Sequence, residues 1–278
     1  MSLDIVSPSQ VATFSRCPEQ WRRRYLENEK IPPGIAAHVG GGVHAGAEIN
    51  HVQKIDSGVD LPEGDVLDAA RDGYVQRVER VGVYLTREER SAAERLLGEG
   101  QDRTVRLARA YCREVAPRLQ PATVEQHLVI DPSELDGIAV QGYLDLTTTD
   151  DRIVDIKTSA KAWSPSRPDE EIQPTVYWRL YEATTGRAPR SFRYEVIVGT
   201  KKREYRQDDD FLTTTRDDSD WQAFLRRVQT MARMVRAGAF PPAPTGSWQC
   251  NPKWCGYYTT CPYQSRRVIM DIMGTQEG

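Results

Sequence analysis

Two carboxylates and an ammonium form the part of this chain best equipped for chemistry. Asp145 closes the run Gly142-Tyr-Leu-Asp, and Asp155 and Lys157 lie within Ile153-Val-Asp-Ile-Lys. Residues i and i+2 of a strand point to one face, so Asp155 and Lys157 project together. Asp145, near the end of a neighbouring strand, can reach the same point. Paired carboxylates are hard oxygen ligands suited to Mg²⁺ or Mn²⁺. A lysine beside them can hold an attacking water and offset charge developing on a phosphate. Taken alone, an Asp-x-Lys tripeptide also fits an exposed cross-strand ion pair. His44, after the Gly40-Gly41-Gly42 turn at the head of a predicted helix, adds an imidazole. Gln173 and Tyr177 stand at i and i+4, on one face of a helix. Glu48 shares the helical face of His44 and reads as a solvated glutamate, and His38, His51 and His127 are given no role.

A second constellation is made of sulfur. Cys250, Cys255 and Cys261 crowd into twelve residues near the end of the chain. Thiolates bind soft and borderline metals, and four of them close an iron–sulfur or zinc site. Three lie here, so a fourth must come from elsewhere. Cys112 sits at an apolar helical position and reads as core.

Elements that could position these groups follow from the patterning. Ser7, Pro8 and Gln10 form a capping-box start. Val11, Phe14, Cys17, Trp21 and Tyr25 then recur at helical spacing, predicting one continuous helix up to Pro32-Pro33-Gly34. Residues 64–120 read as almost wholly helical, with a second capping box at Thr86 and Glu89. From residue 124 the pattern turns to strands, at 124–130, 138–147, 153–156 and 192–198, with Asp136-Gly137 as a turn. Helices are predicted over 171–184, ending near Gly186, and over 221–236.

The 278 residues carry 39% apolar and 28% charged residues and a net charge of −3. That balance belongs to a folded globular chain, and its near-neutral sum argues against a uniform basic coat for nucleic acid. No stretch reaches the roughly 18 apolar residues of a membrane helix. The first ten residues lack the basic-then-apolar order of a secretory signal. Lys201, Lys202 and Arg203 open a basic segment, 201–206, read as a phosphate-backbone contact. No GxxxxGK[ST] motif is present, so the chain has no ATP motor of its own.

In combination the pieces resemble the RecB-type branch of the PD-(D/E)XK nuclease superfamily. That branch holds the RecB and AddB nuclease domains, CRISPR-associated RecB-like exonucleases and stand-alone phage exonucleases. The opening Ser7-Pro-Ser-Gln-x3-Phe14-x2-Cys17-Pro18 resembles theirs as well. Matching pieces run from residue 7 to 263, with none in the helical middle. The resemblance implies metal-binding roles for His44, Asp145 and Asp155, a backbone-carbonyl ligand at Ile156, and a catalytic Lys157. It implies that Gln173 and Tyr177 orient the site and touch DNA. It also implies a 4Fe–4S cluster on Cys17, Cys250, Cys255 and Cys261, with Zn²⁺ as the other occupant of such a set. Many relatives begin the C-terminal trio with CxxC, whereas here the gap is four residues.

The expected fold is α/β: a restriction-endonuclease-like core, a central mixed sheet flanked by helices. The expected organisation is a single domain over 1–278, with a helical insertion at about 52–120, a catalytic core at about 121–206 and a cysteine segment at 241–263. The cluster would tether the N- and C-termini. The expected activity is Mg²⁺- or Mn²⁺-dependent hydrolysis of DNA from its ends, on single strands. The alternatives are a non-catalytic DNA-end-binding subunit and a structure-specific endonuclease. The expected setting is the bacterial cytoplasm, host- or phage-encoded, with DNA and recombination, repair or CRISPR-adaptation partners.

Overall fold

A computed structural model of the chain describes residues 3–207 and 212–264. In chain order the elements are β1 (Ile5–Val6), α1 (Pro8–Arg16), α2 (Pro18–Trp21), α3 (Ile35–Ser57), α4 (Glu63–Val81), α5 (Ala93–Ala110), β2 (Pro121–Ile130), β3 (Ala139–Thr148) and β4 (Arg152–Ser159). They continue with α6 (Arg167–Glu170), α7 (Gln173–Thr185), β5 (Ser191–Gly199), β6 (Glu204–Arg206), β7 (Thr213–Thr214) and α8 (Asp218–Arg236). Among the described residues no helix is long and apolar enough to cross a membrane.

The seven strands form one mixed sheet along the path β1-β3-β4-β5-β6, with β2 on β3 and β7 on β5. β4 and β5 are parallel, and α7 makes the crossover between them. One face packs against α1, α7 and α8, with Val140, Leu144, Ile153, Phe192, Val196 and Val198 at its centre. The other packs against α3, α4 and α5 through Leu146, Val154, Ile156 and Ile197. The sheet is therefore buried on both sides, as the near-continuous apolar runs of β4 and β5 require.

Two predicted elements differ from expectation. The first helix is interrupted. Pro18 has no N–H to continue α1, so the chain leaves helical geometry at Cys17 (φ −159°), whose Sγ then caps α2 by accepting from the Gln20 N–H. The glycine run is not a turn. It lies inside the 23-residue α3, so His44 is near the middle of that helix. The glycines are there for packing. A Cβ on Gly46 would stand 2.7 Å from the Val66 carbonyl oxygen, and one on Gly42 would stand 2.7 Å from that of Ala70. Their absence lets α3 and α4 approach backbone to backbone.

The sheet opens at the centre. β2 covers one edge of β3 along its length. β1 and β4 share the other edge, β1 at Ala139 and Val140 and β4 at Leu146 and Thr147. Residues 141–145 between them have no ladder partner on that edge. The strands also change face here. Leu128, Val140 and Leu144 pack on the α7 side, whereas Val124 and Leu146 pack on the α3 side. Residues two apart should share a face, so the alternation breaks between 144 and 146 and between 124 and 128. Glu125, at φ +47°, is a left-handed residue within β2 and supplies that break.

Candidate active site

Asp145 lies where β3 and β4 part. Its Oδ2 accepts the Ile156 N–H at 3.1 Å, replacing the carbonyl that a continuous ladder would have provided. The same oxygen is 3.4 Å from His44 Nδ1 on α3. Asp155 is fully buried and held from two sides. Gln173 Nε2 donates to its Oδ1 at 2.6 Å, and Lys157 Nζ lies 2.5 Å from its Oδ2. Burial, then the charge of Asp145, raises the Asp155 pKa. Burial works against a charged Lys157, but Asp155 and Asp145 more than offset it and the net direction is up. Lys157 therefore stays an ammonium, its Nζ 5.9 Å from the centre of the Tyr194 ring.

The cleft above these groups has a volume of about 1020 Å³, and its lining includes His44, Glu48, Asp145, Ile156 and Lys157. Glu48, read as a solvated glutamate, is exposed and borders this cleft. Gln173 and Tyr177 lie behind the site rather than in it. Tyr177 is 7% exposed, its ring fills the space a Cβ on Gly142 would need, and its hydroxyl meets Gln173 and the Tyr143 backbone. In this geometry the pair supports Asp155 and β3, and the buried Tyr177 offers no surface to DNA. Lys201, Lys202 and Arg203 do not line the cleft either; Arg203 lies over the Tyr205 ring.

Sequence reasoning missed Glu125. Its carboxylate, His44 and Asp145 offer ligand atoms all within 4.8 Å of one another, the only such group among the described residues. Asp155 is not part of that trio. Burial, then the charge of Asp145, pushes the Glu125 pKa up to about 7. Only its position opposite Asp145 in the hairpin could have signalled it, because the backbone turn that aims it is not written in the residue type. An imidazole and two carboxylates at this spacing fit a divalent cation of the Mg²⁺ or Mn²⁺ class.

Cys17, Cys250, Cys255 and Cys261 all border one small cavity between the N-terminal helices and the C-terminal segment. Arg23 ties these parts together, donating to Glu29, to the Tyr257 carbonyl and to Thr260. Burial raises the thiol pKa of Cys17 and of Cys255. No three of the sulfurs lie within 4.8 Å of one another. A zinc tetrathiolate with 2.3 Å bonds needs sulfurs about 3.8 Å apart. Cys112 stands apart in the α3–α5 core, its thiol pushed up to about 12 by burial.

The model of the PD-(D/E)XK nuclease superfamily matches residues 5–265. The chain belongs to that superfamily. A solved Eubacterium rectale structure, provisionally named an exonuclease, aligns with this nuclease at TM-score 0.51 and 14% identity, covering 97% of this chain and 92% of that one. At that identity the likeness establishes the fold. A second solved structure, SSO0001, aligns at TM-score 0.39 and 14% identity over 95% of this chain and 88% of that one, and carries no weight here. No curated protein sequence matches the chain.

Proposed function

We propose that this nuclease belongs to the RecB-like branch and is a Mg²⁺- or Mn²⁺-dependent exonuclease. It hydrolyses phosphodiester bonds from the ends of single-stranded DNA and carries a structural 4Fe–4S cluster. The observation that supports this most is the convergence of His44, Asp145 and Lys157 on one cleft, with Asp155 fixed directly behind Lys157.

His44, Asp145 and Glu125, whose ligand atoms lie within 4.8 Å of one another, would hold the divalent ion, with Asp155 and the Ile156 carbonyl as the further ligands that the family resemblance implies; when bound, the ion supplies Lewis acidity to a water and to the phosphoryl oxygen. Lys157 orients the attacking water with its N–H groups and offsets negative charge on the phosphate. Asp155 keeps that ammonium charged and in place, and Gln173 fixes Asp155 by its 2.6 Å hydrogen bond. The buried Tyr177 props β3 where the ladder is missing.

Cys17, Cys250, Cys255 and Cys261 would hold the cluster. All four border one small cavity, and four thiolates are the ligand set that such a cluster takes. Its role is to join the ends of the chain, and it takes no part in hydrolysis.

The test is digestion of linear and covalently closed circular DNA, each single- and double-stranded, with Mg²⁺ or Mn²⁺. Loss of linear single strands alone is expected. Cutting of circles would make the protein an endonuclease. A gel shift with no loss of length would make it a DNA-end-binding subunit.

A further inference from the structure

Helix α4 lies in the part of the chain where the sequence carried no motif, yet it forms a wall of the active-site cleft. Arg77 and Arg80 line that cleft together with His44, Asp145 and Lys157. Several arginines of the helical region pair with carboxylates, and Arg77, like Arg80 and Arg103, does not among the described residues. Arg71 pairs with Asp68, Arg95 with Glu99, Arg106 with Glu204, and Arg109 and Arg113 with Glu63. Arg77 has no carboxylate within 4 Å among the described residues, and its Nε is buried without a hydrogen-bond partner. A guanidinium taken partly out of water and left unpaired lacks its natural complement, an anion with paired oxygens.

The route Arg77 takes is built into α3. Its side chain crosses the helix over Gly41, where a Cβ would stand 2.1 Å from Nε and 2.5 Å from Cζ. The neighbouring Gly40 brings α3 against Thr158, the residue after Lys157, with 3.2 Å between an ideal Cβ and Oγ1. Two adjacent glycines thus set an arginine fork from α4 and the Lys157 end of β4 into one cleft. The acidic groups of the site repel a phosphodiester backbone until cations gather it in, and a planar fork suits two oxygens of one phosphate.

We infer that Arg77 binds a backbone phosphate of the substrate strand beside the scissile linkage, and that Gly41 is the residue that lets it reach there. This rests on the nuclease reading above. The ligand class is the sugar–phosphate backbone, read without regard to base sequence.

The experiment measures fluorescence anisotropy of an end-labelled oligonucleotide, single-stranded or duplex. It is run with Ca²⁺ in the Lys157→Ala background so that the strand stays intact. Arg77→Ala should weaken binding about tenfold for every sequence and lower the slope of log Kd against log salt by roughly 0.7–0.9. Arg77→Lys should keep the slope and recover only part of the affinity, because it keeps the charge and loses the fork. Gly41→Ala meets only the far end of a flexible side chain and puts alanine into a helix. It should therefore melt no lower than the parent and still weaken DNA binding. The double variant should bind no more weakly than Arg77→Ala alone. Mn²⁺ affinity should be unchanged in all of them, which separates a phosphate contact from damage to the metal site. Parental affinity and salt slope in Arg77→Ala, or additive losses in the double variant, would overturn the inference while leaving the nuclease reading intact. A parent that binds no DNA would overturn both.

Discussion

Asp155 carries the densest set of dependencies in the site. It is fully buried, paired with Lys157 and fixed by Gln173. Gln173→Ala removes the fixing hydrogen bond and leaves the charges in place. Such supporting contacts are worth about 10- to 100-fold in metal affinity or activity. We expect a fall of that size in the cleavage rate, with DNA affinity nearly unchanged, read by single-turnover kinetics beside anisotropy. His51 gives a separate pH signature. It is 2% exposed, and its Nε2 is 2.8 Å from the Tyr111 hydroxyl. Burial, then the charge of Lys54, lowers its pKa to about 4. Its folded pKa lies below the unfolded value near 6.5, so its contribution is complete above pH 6.5 and is lost as pH falls through 4. The difference of about 2.5 units amounts to about 3 kcal/mol. Urea midpoints between pH 7 and 4 should show this loss, and His51→Gln should flatten it.

At the scale of elements, strands and caps were the most legible. Period-two runs and the Asp136-Gly137 turn located β2 to β5 within a few residues, and Gly186, at φ +72°, ends α7 as expected. The Asp145–Asp155–Lys157 grouping was legible because strand geometry alone brings those residues together. The glycines of α3 misled, since Gly-Gly-Gly reads as a breaker in isolation. Close approach to α4 outweighs their poor helix propensity, and no local pattern reports a neighbour twenty residues away. Glu125 was hidden for a related reason: the left-handed backbone that turns it into the site, at φ +47°, is not announced by the residue type. The short β1 and the break at Cys17 were likewise set by tertiary pairing and by one proline. The α3–α4 packing makes a signed prediction. Gly46→Ala gains helix propensity but drives a Cβ to 2.7 Å from the Val66 carbonyl oxygen, and should destabilise by about 1–3 kcal/mol. Gly98→Ala, in α5 with nothing within 4 Å, should stabilise by about 0.5–1 kcal/mol. Denaturant midpoints of the two variants should move in opposite directions.

Across the whole molecule, the N-terminal part of the chain meets residues 241–260. Tyr84 donates to the Pro252 carbonyl at 2.7 Å, Glu19 N–H to the Pro241 carbonyl at 3.2 Å, and Arg23 to Thr260. These contacts gather four cysteines drawn from positions 17 and 250–261 around one cavity. A cluster there would close a loop of more than two hundred residues. By loop-closure entropy that is worth about 5 kcal/mol, or roughly 10–15 °C in melting temperature for a chain of this size. Cys250→Ala should lose the iron and fall by about that much. Cys112→Ala should keep its iron. Iron content beside a melting curve checks both.

The central claim is that Lys157, beside Asp155 and facing the cleft, serves phosphodiester hydrolysis. The most direct measurement is single-turnover cleavage of an end-labelled linear strand by the parent and by Lys157→Ala, with Mn²⁺ and DNA binding measured on both. We expect the parent to shorten the strand and Lys157→Ala to do so about 100-fold or more slowly while still binding metal and DNA. Equal rates for the two proteins, or a parent that binds Mn²⁺ and DNA and leaves the strand intact, would contradict the account.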